Sequence, residues 1–534
     1  MKGHFVLVLH AHLPFVRHPK EKDILEERWL MEAMLETYLP LLRTFSRLEE
    51  SQVAWKMTMS FSPPLVAMLR DEYLQKKYDL YIENLLDLLG KEKKRNIYDP
   101  HLSYLTEYYE KNILELHKIF DRNQKNILNE FKKHFEKGNL EIITTPATHG
   151  FLPLMESEPS SVKAQISNGR RSHRETWGKD PKGIWLSECG YYPGLEWILE
   201  DNGIKYFFCD SHGILNANPR PKFGVHAPVE VGGGVFAFAR DPISSRQVWS
   251  SVEGFPGDHR YREYYRDIGY DLEWEYIRPH LPDVGIRVNT GIKYHRITGK
   301  TDHKDYYHPD WAMEACGNQA EHFLQSRIAE TEGLSKFNKQ NPVLVSPFDA
   351  ELFGHWWYEG PLFLEFLFKK MHFHQDLVVS SHALDVVSEI PKIQSVKMEM
   401  CSWGENGYNE VWLNPGNDWI YRHLLNASIE MREQSFKFQN TKVEGLVRIL
   451  NQMGRELLLA QSSDWAFIIK TGTMVEYAER RTVEHIQNFL SLVEILNRYS
   501  PEASKIEEAD FQVCKALEEA TPIFPSLHFK DYLS

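Results

Sequence analysis

Two carboxylic acids of this chain stand at the points where apolar runs stop. Glu188 follows Ile184, Trp185 and Leu186, and Asp349 follows Val343, Leu344, Val345 and Phe348. Tyr191 and Tyr192 come just after the first acid, and Trp356, Trp357 and Tyr358 just after the second. A pair of carboxyls projected from strand ends is what cleavage of a glycosidic bond requires: one attacks or acts as base, the other protonates the leaving oxygen. Flat aromatic rings beside them suit the faces of sugars. The plainer alternative is that each acid satisfies backbone amides where a strand ends.

Other residues with chemical potential are scattered along the chain. His10 and His12 form an H-x-H at the end of the first apolar run, which fits a metal pair, contacts to substrate hydroxyls, or histidines satisfied at a rim. Asp210 and His212 extend the metal possibility, but no H-E-x-x-H helix or cysteine cluster accompanies them. His149 is framed by Pro146, Gly150 and Pro153, a tight turn that would hold its ring. Trp403 and Trp412 lie in a stretch whose Gly and Asn content breaks a core helix, so they are expected on loops, lining a groove or packing an interface. Asp464 follows Ser462 and Ser463 where a helix ends, as a cap or a ligand contact. Phosphate-binding glycine loops and the G-x-S-x-G of serine hydrolases are missing from the sequence, so nucleotide and serine-hydrolase chemistry have no support.

The elements that must position these groups read as alternating strands and helices. Near-continuous apolar runs at 5–9, 53–60, 140–145, 183–186, 204–209, 235–239 and 343–345 predict strands buried on both faces, with 286–298 and 377–380 as further candidates. Helical periodicity separates several of them, at 67–89 and 161–176 for instance. This alternation predicts an α/β barrel or a doubly wound sheet. His10, His12, His149, Glu188, Asp210, His212 and Asp349 all fall just after predicted strands, which favours a barrel, because barrels build their sites at the C-terminal ends of strands. Residues 65–136 read as a helical insertion, and 401–534 as a C-terminal module with helices at 422–438, 443–460, 474–499 and 507–519. Residues 213–234 and 241–262 read as surface loops, the second a lid over the barrel mouth.

Composition narrows the class. The chain has 534 residues, enough for one large domain with attached modules. A net charge of −13 argues against a nucleic-acid partner, which needs a basic face. Five unpatterned cysteines, a short apolar N-terminus and no long apolar run predict a cytoplasmic protein with reduced thiols and no membrane partner.

The motifs together resemble glycoside hydrolase family 57, in particular its α-1,4-glucan branching enzymes and α-amylase-like members. Five stretches carry the resemblance, in order along essentially the whole chain: His10 to Pro14, Thr148 to Pro153, Trp185 to Tyr191, Phe348 to Gly360, and Ser402 to Trp412. The resemblance implies a distorted (β/α)7 barrel spanning 1–400, with a helical insertion and a helical C-terminal domain. It implies a retaining mechanism with Glu188 as nucleophile and Asp349 as acid/base. It implies sugar contacts from His10, His12, His149, Arg262, Trp403, Trp412 and Asp464, an α-1,4-glucan as partner, and neither metal nor other cofactor. α-Amylase and 4-α-glucanotransferase share the chemistry up to the covalent intermediate. A metal-dependent hydrolase or deacetylase on a related barrel is the more distant alternative.

Overall fold

The computed structural model describes residues 2–21, 24–250, 253–282, 285–337, 340–390 and 392–533. Ten strands alternate with helices: β1 Gly3–Ala11, β2 Met57–Phe61, β3 Leu140–Ile143, β4 Gly183–Ile184, β5 Tyr206–Cys209, β6 Val229–Gly232, β7 Val235–Ala239, β8 Val343–Asp349, β9 Val378–Ser380 and β10 Gln394–Ser395. Every residue of β1 and of β2 is buried, as the unbroken apolar runs require.

Two parallel arcs make the barrel. One runs β3-β2-β1-β8, and the other β4-β5-β7. Thr144, just after β3, bridges to Ile184 on β4, and the Trp185 N–H donates to the Thr144 carbonyl at 2.8 Å. At the other seam the Asp241 N–H donates to the Val345 carbonyl at 2.8 Å, joining the end of β7 to β8. The ring therefore runs β1-β2-β3-β4-β5-β7-β8, seven strands in chain order, with two seams held by short contacts. This is a distorted (β/α)7 barrel. β9 adds to the first half of β1, and β10 to β6.

The structure departs from the sequence reading in four places. The helix expected at 67–89 is two, Pro63–Arg70 and Glu72–Arg95, because Asp71 is extended and its carboxylate accepts the Leu74 N–H as an N-cap. The loop expected at 213–234 contains β6, antiparallel to β7, with Val229 and Val231 buried and Glu230 half-exposed. Gly232, Gly233 and Gly234 all have positive φ and form its turn. No strand forms at 286–298: the Asp267 carboxylate takes the Thr290 and Gly291 N–H groups, each at 2.9 Å, that a neighbouring strand would have used. The C-terminal region has five helices, since Ser463–Thr471 stands between Glu444–Ala460 and Val475–Leu496.

Elsewhere the outlines agree, except that the loop expected at 241–262 begins with a helix. The insertion at 65–136 is helical, completed by Pro100–Arg122 and Leu128–Lys137. The segment 241–262 holds the helix Pro242–Trp249, capped by Asp241, and its residues 251 and 252 lie outside the described residues. All five cysteines are buried and free. Among the described residues no helix is long and apolar enough to cross a membrane.

Candidate active site

The C-terminal ends of the barrel strands open into a cavity of about 660 Å³. His10, His12, His149, Glu188, Asp349, Trp403, Trp412 and Asp464 all line it. His10 lies opposite Ser60 on β2 and Asp349 on β8. His12, two residues on, projects to the same side, as strand geometry dictates. The rings of Trp185, His10, His149 and His12 lie in a near-parallel row, with successive centroids 4.7, 4.9 and 3.9 Å apart and planes within 19°.

Hydrogen bonds order this row. Ser463 Oγ donates to Glu188 Oε1 at 3.1 Å, so toward His149 Nδ1, 2.9 Å away, it can only accept. Burial pushes both His149 and His10 well below the usual histidine range, so both rings are neutral. His149 therefore carries its proton on Nδ1 and accepts at Nε2. The His10 Nε2–H, 3.0 Å away, donates to it, and His10 Nδ1 accepts from Ser60 Oγ at 2.7 Å. The protons run one way, from Ser60 through both rings and Ser463 to Glu188.

His12 behaves differently. Burial opposes its charge, but the Asp464 carboxylate, 2.9 Å from Nε2, raises its pKa. Burial likewise opposes Asp464, yet His12 and the Ser462 hydroxyl hold it down at about 2. The two form an ion pair beside two neutral rings. Donor atoms of His12, His149 and Asp464 lie within 4.8 Å of one another, a spacing that a metal ion could bridge, although each of these residues already bonds within the protein. Asp210 and His212 are turned to other tasks: Asp210 binds Arg240, and His212 Nε2 donates to the Gly407 carbonyl at 2.7 Å.

The two acids at the strand ends differ. Glu188 sits in a left-handed turn (φ 60°, ψ 26°), with Cys189 also at positive φ, a conformation costing ~1–2 kcal/mol for a residue with a side chain. Trp403 clamps it twice: its main-chain N–H donates to the Glu188 carbonyl at 2.9 Å, and its indole N–H to Oε2 at 2.7 Å. Burial, with Asp464 adding, lifts Glu188 to about 7 against the pull of Trp403 and Ser463. Asp349 has ordinary extended backbone, and its carboxyl receives no hydrogen bond among the described residues. Burial first, then the charges of Glu351 and Glu188, push it well above the usual carboxylate range.

Arg262 is set apart from the acids. Its side chain is buried, 3.9 Å from the Tyr358 ring centroid, and reaches Glu36 at 3.4 Å and the Gly291 carbonyl at 3.3 Å. Trp412 is buried against Phe151, with centroids 4.6 Å apart, and turns only part of its ring to the cavity. Ser463, Glu351, Arg240 and Phe467, which did not stand out in the sequence, belong to the site, as does Trp356, one of the rings expected beside Asp349. Trp356 is half-exposed and stacks on Tyr264. Its place beside Asp349, in a run of three aromatics, was a usable signal; Ser463 offered none.

Comparison with known proteins decides the family. Residues 6–331 match the sequence model of glycosyl hydrolase family 57. The chain belongs to glycosyl hydrolase family 57. Residues 423–532 of this family 57 chain match a second model, described as 1,4-alpha-glucan branching enzyme, C-terminal. Over its full length the chain is 32% identical to the 1,4-alpha-glucan branching enzyme TK1436 of Thermococcus kodakarensis, covering 79% of that protein. It is similar in structure to the alpha-amylase AmyC of Thermotoga maritima, with 43% identity, a TM-score of 0.92 and coverage of all of this chain and 99% of that one. It is also similar to the family 57 branching enzyme of Pyrococcus horikoshii, with 31% identity, a TM-score of 0.89 and coverage of 100% and 97%.

Proposed function

We propose that this chain is a retaining 1,4-α-glucan branching enzyme, cytoplasmic and acting on an α-1,4-glucan such as amylose or glycogen. The observation that carries this reading is the pairing, in one aromatic-walled cavity, of a carboxylate held by two donors with a carboxyl that receives none among the described residues. Glu188 attacks C1 of a glucosyl unit while Asp349 gives its proton to the leaving oxygen. A covalent glucosyl-enzyme forms, and Asp349 then takes the proton of an acceptor 6-hydroxyl. His10, His12, His149 and Asp464 contact the sugar in the cleft, and Trp403 and Trp412 wall it. Arg262 lies outside the cavity lining and acts on the segment after Asp349 through Glu36 and Tyr358. The catalytic barrel takes residues 1–400 and the C-terminal domain 401–534. Branching-enzyme relatives at 30–32% identity over the whole chain, and the match of 423–532, support transfer to a 6-hydroxyl. The five buried free thiols fit a reducing compartment.

A second reading, α-amylase, is favoured by the 43% identity to AmyC. Water would then replace the acceptor hydroxyl. Incubation with amylose, counting new α-1,6 linkages against new reducing ends, separates the two. Branch points in excess support transfer, and reducing ends without branches establish hydrolysis.

A further inference from the structure

Besides Glu188, Asp349 and Asp464, a fourth acid enters the cavity just after Asp349. Glu351 lies on the turn Ala350–Leu352, lines the same cavity, and has no part in the bond-breaking scheme. Two donors hold its Oε1 atom. Tyr38 O–H donates to it, and so does the His12 main-chain N–H at 3.3 Å. Tyr38 ends a π-turn, Met34–Tyr38, set into the helical segment that follows β1. Such turns recur at functional sites. The same π-turn carries Glu36, whose carboxylate binds His355 Nδ1 at 2.6 Å. Two of its side chains thus grip the segment after Asp349 at two points.

The charges around Asp349 come from three elements. They are Glu351 on its own segment, Glu188 at the end of β4, and Arg240 at the end of β7, already bound to Asp210. Burial raises Glu351 as well, but Tyr38 and His12 oppose that rise, and His12 is paired with Asp464. Of the four carboxyls that line the cavity, Asp464 is balanced by His12, and the charges of Glu188 and Glu351 oppose ionisation of Asp349. Hydrogen bonds decide which one keeps a proton: donors stabilise an anion, and among the described residues Glu188 and Glu351 have two each while Asp349 has none.

We propose that Glu351 is the positioning residue that makes Asp349 the acid of the site: its tethered carboxylate keeps the proton on Asp349 until a leaving oxygen takes it. The inference rests on the acid/base role given to Asp349 above. When the glycosidic C1–O bond breaks, the Asp349 proton goes to the departing oxygen and Glu188 bonds to C1. The new Asp349 anion then faces Glu351, and this repulsion drives it to recover a proton from the acceptor hydroxyl. Glu351 exchanges no proton and touches no reacting atom.

Glu351→Gln tests this, because an amide oxygen still accepts from Tyr38 and from the His12 N–H while the charge is gone. The basic limb of kcat/KM against pH should move down by at least about one unit. The loss at neutral pH should largely vanish with α-maltosyl fluoride, whose leaving group needs no proton. A limb that stays in place overturns the proposal, whatever the activity, and so does an equal loss with the fluoride. If the variant does not fold, difference infrared spectra of wild type against Asp349→Asn decide instead. A protonated-carboxyl band for Asp349 that persists above neutral pH is expected, and its disappearance at the pH of an ordinary aspartate overturns the idea. Full activity in Asp349→Asn would refute the acid/base role itself. Loss of activity there, with an unmoved limb in Glu351→Gln, would refute only the part assigned to Glu351.

Discussion

At the end of β4 the chain turns through two left-handed residues and presents Glu188, whereas β8 runs straight for seven residues and presents Asp349 from relaxed extended backbone. Side chains from after residue 400, Trp403 and Ser463, hold the first acid. The second receives no donor among the described residues and lies beside the carboxylates of Glu351 and Glu188, on a segment gripped by an N-terminal π-turn. The difference fits the two tasks proposed for these acids. A nucleophile must be charged and aimed, so donors and fixed backbone serve it. A general acid must stay neutral at working pH, so withheld donors and nearby negative charge serve it. Residues after 400 thus hold Glu188, and the N-terminal third of the chain holds the segment that follows Asp349.

Removing either acid gives the largest expected effects, and they should differ in kind. Glu188→Gln should lower turnover by several orders of magnitude on every substrate. Asp349→Asn should do so on glucans but lose far less with α-maltosyl fluoride, since only Asp349 supplies a proton. The Glu188 substitution should also change stability. Its folded pKa is raised from 4.5 to about 7, so its favourable contribution is complete below pH 4.5 and is lost as pH rises through about 7. Above that window the charged Glu188 costs the fold about 3 kcal/mol. Glu188→Gln avoids this cost, and its melting temperature at pH 8 should exceed that of wild type, with the gap closing toward pH 4.5. A gap independent of pH would show that the packing of the amide, and not the buried charge, is the source.

Next in size are the donors on the nucleophile side. Trp403→Phe and Ser463→Ala each remove one hydrogen bond to the charged Glu188, a class worth about 1.5–3 kcal/mol, or roughly 10- to 150-fold in kcat/KM at neutral pH. The sign is fixed: with a donor gone, Glu188 binds its proton more tightly, so the acidic limb moves to higher pH and activity returns as pH is raised. Ser463→Ala should go further, because it ends the directed row from Ser60 through His10 and His149. An acidic limb unmoved in both variants would mean that these side chains only shape the cavity, and the contrast between the two strand ends would lose its electrostatic basis.

These two groups of residues were unequally visible in the sequence. The acids, His10, His12 and His149 were legible because each ends or follows an apolar run, and a barrel puts strand ends together. The strands themselves were legible because both their faces are buried. What holds the acids was not. Ser463 and Trp403 reach Glu188 from 275 and 215 residues away, and Tyr38 reaches Glu351 across 313. No local periodicity encodes such pairings. Arg262 could be placed only by resemblance, since its partners Glu36 and Tyr358 come from two distant segments. The hairpin of β6 and β7 was hidden by its glycines, although the alternation of Val229, Glu230 and Val231 was present.

The smallest effect should come from the exposed ring on the acid's own segment. Trp356 is 54% exposed, lines the cavity, and stacks on Tyr264 with centroids 4.6 Å apart and planes 22° from parallel. Trp412, on the opposite wall, is buried against Phe151. The buried ring belongs to the packing of the C-terminal domain, and the exposed one is free to meet a sugar. An aromatic stack contributes about 0.5–1.5 kcal/mol beyond area burial, so Trp356→Ala should raise KM for a glucan roughly two- to twelvefold. Because the ring lies outside the core and makes no bond to either acid, kcat for short maltooligosaccharides, both pH limbs and the melting temperature should hold. Trp412→Ala should do the reverse: it opens a cavity beneath the Trp403 segment, lowers the melting temperature, and takes the clamp on Glu188 with it. If Trp356→Ala lowers the melting temperature while KM stays put, the stack on Tyr264 is a brace for the Asp349 segment. The acid would then be held by packing on both sides, and the open wall of the cleft would have to be sought at Trp249 or Phe467.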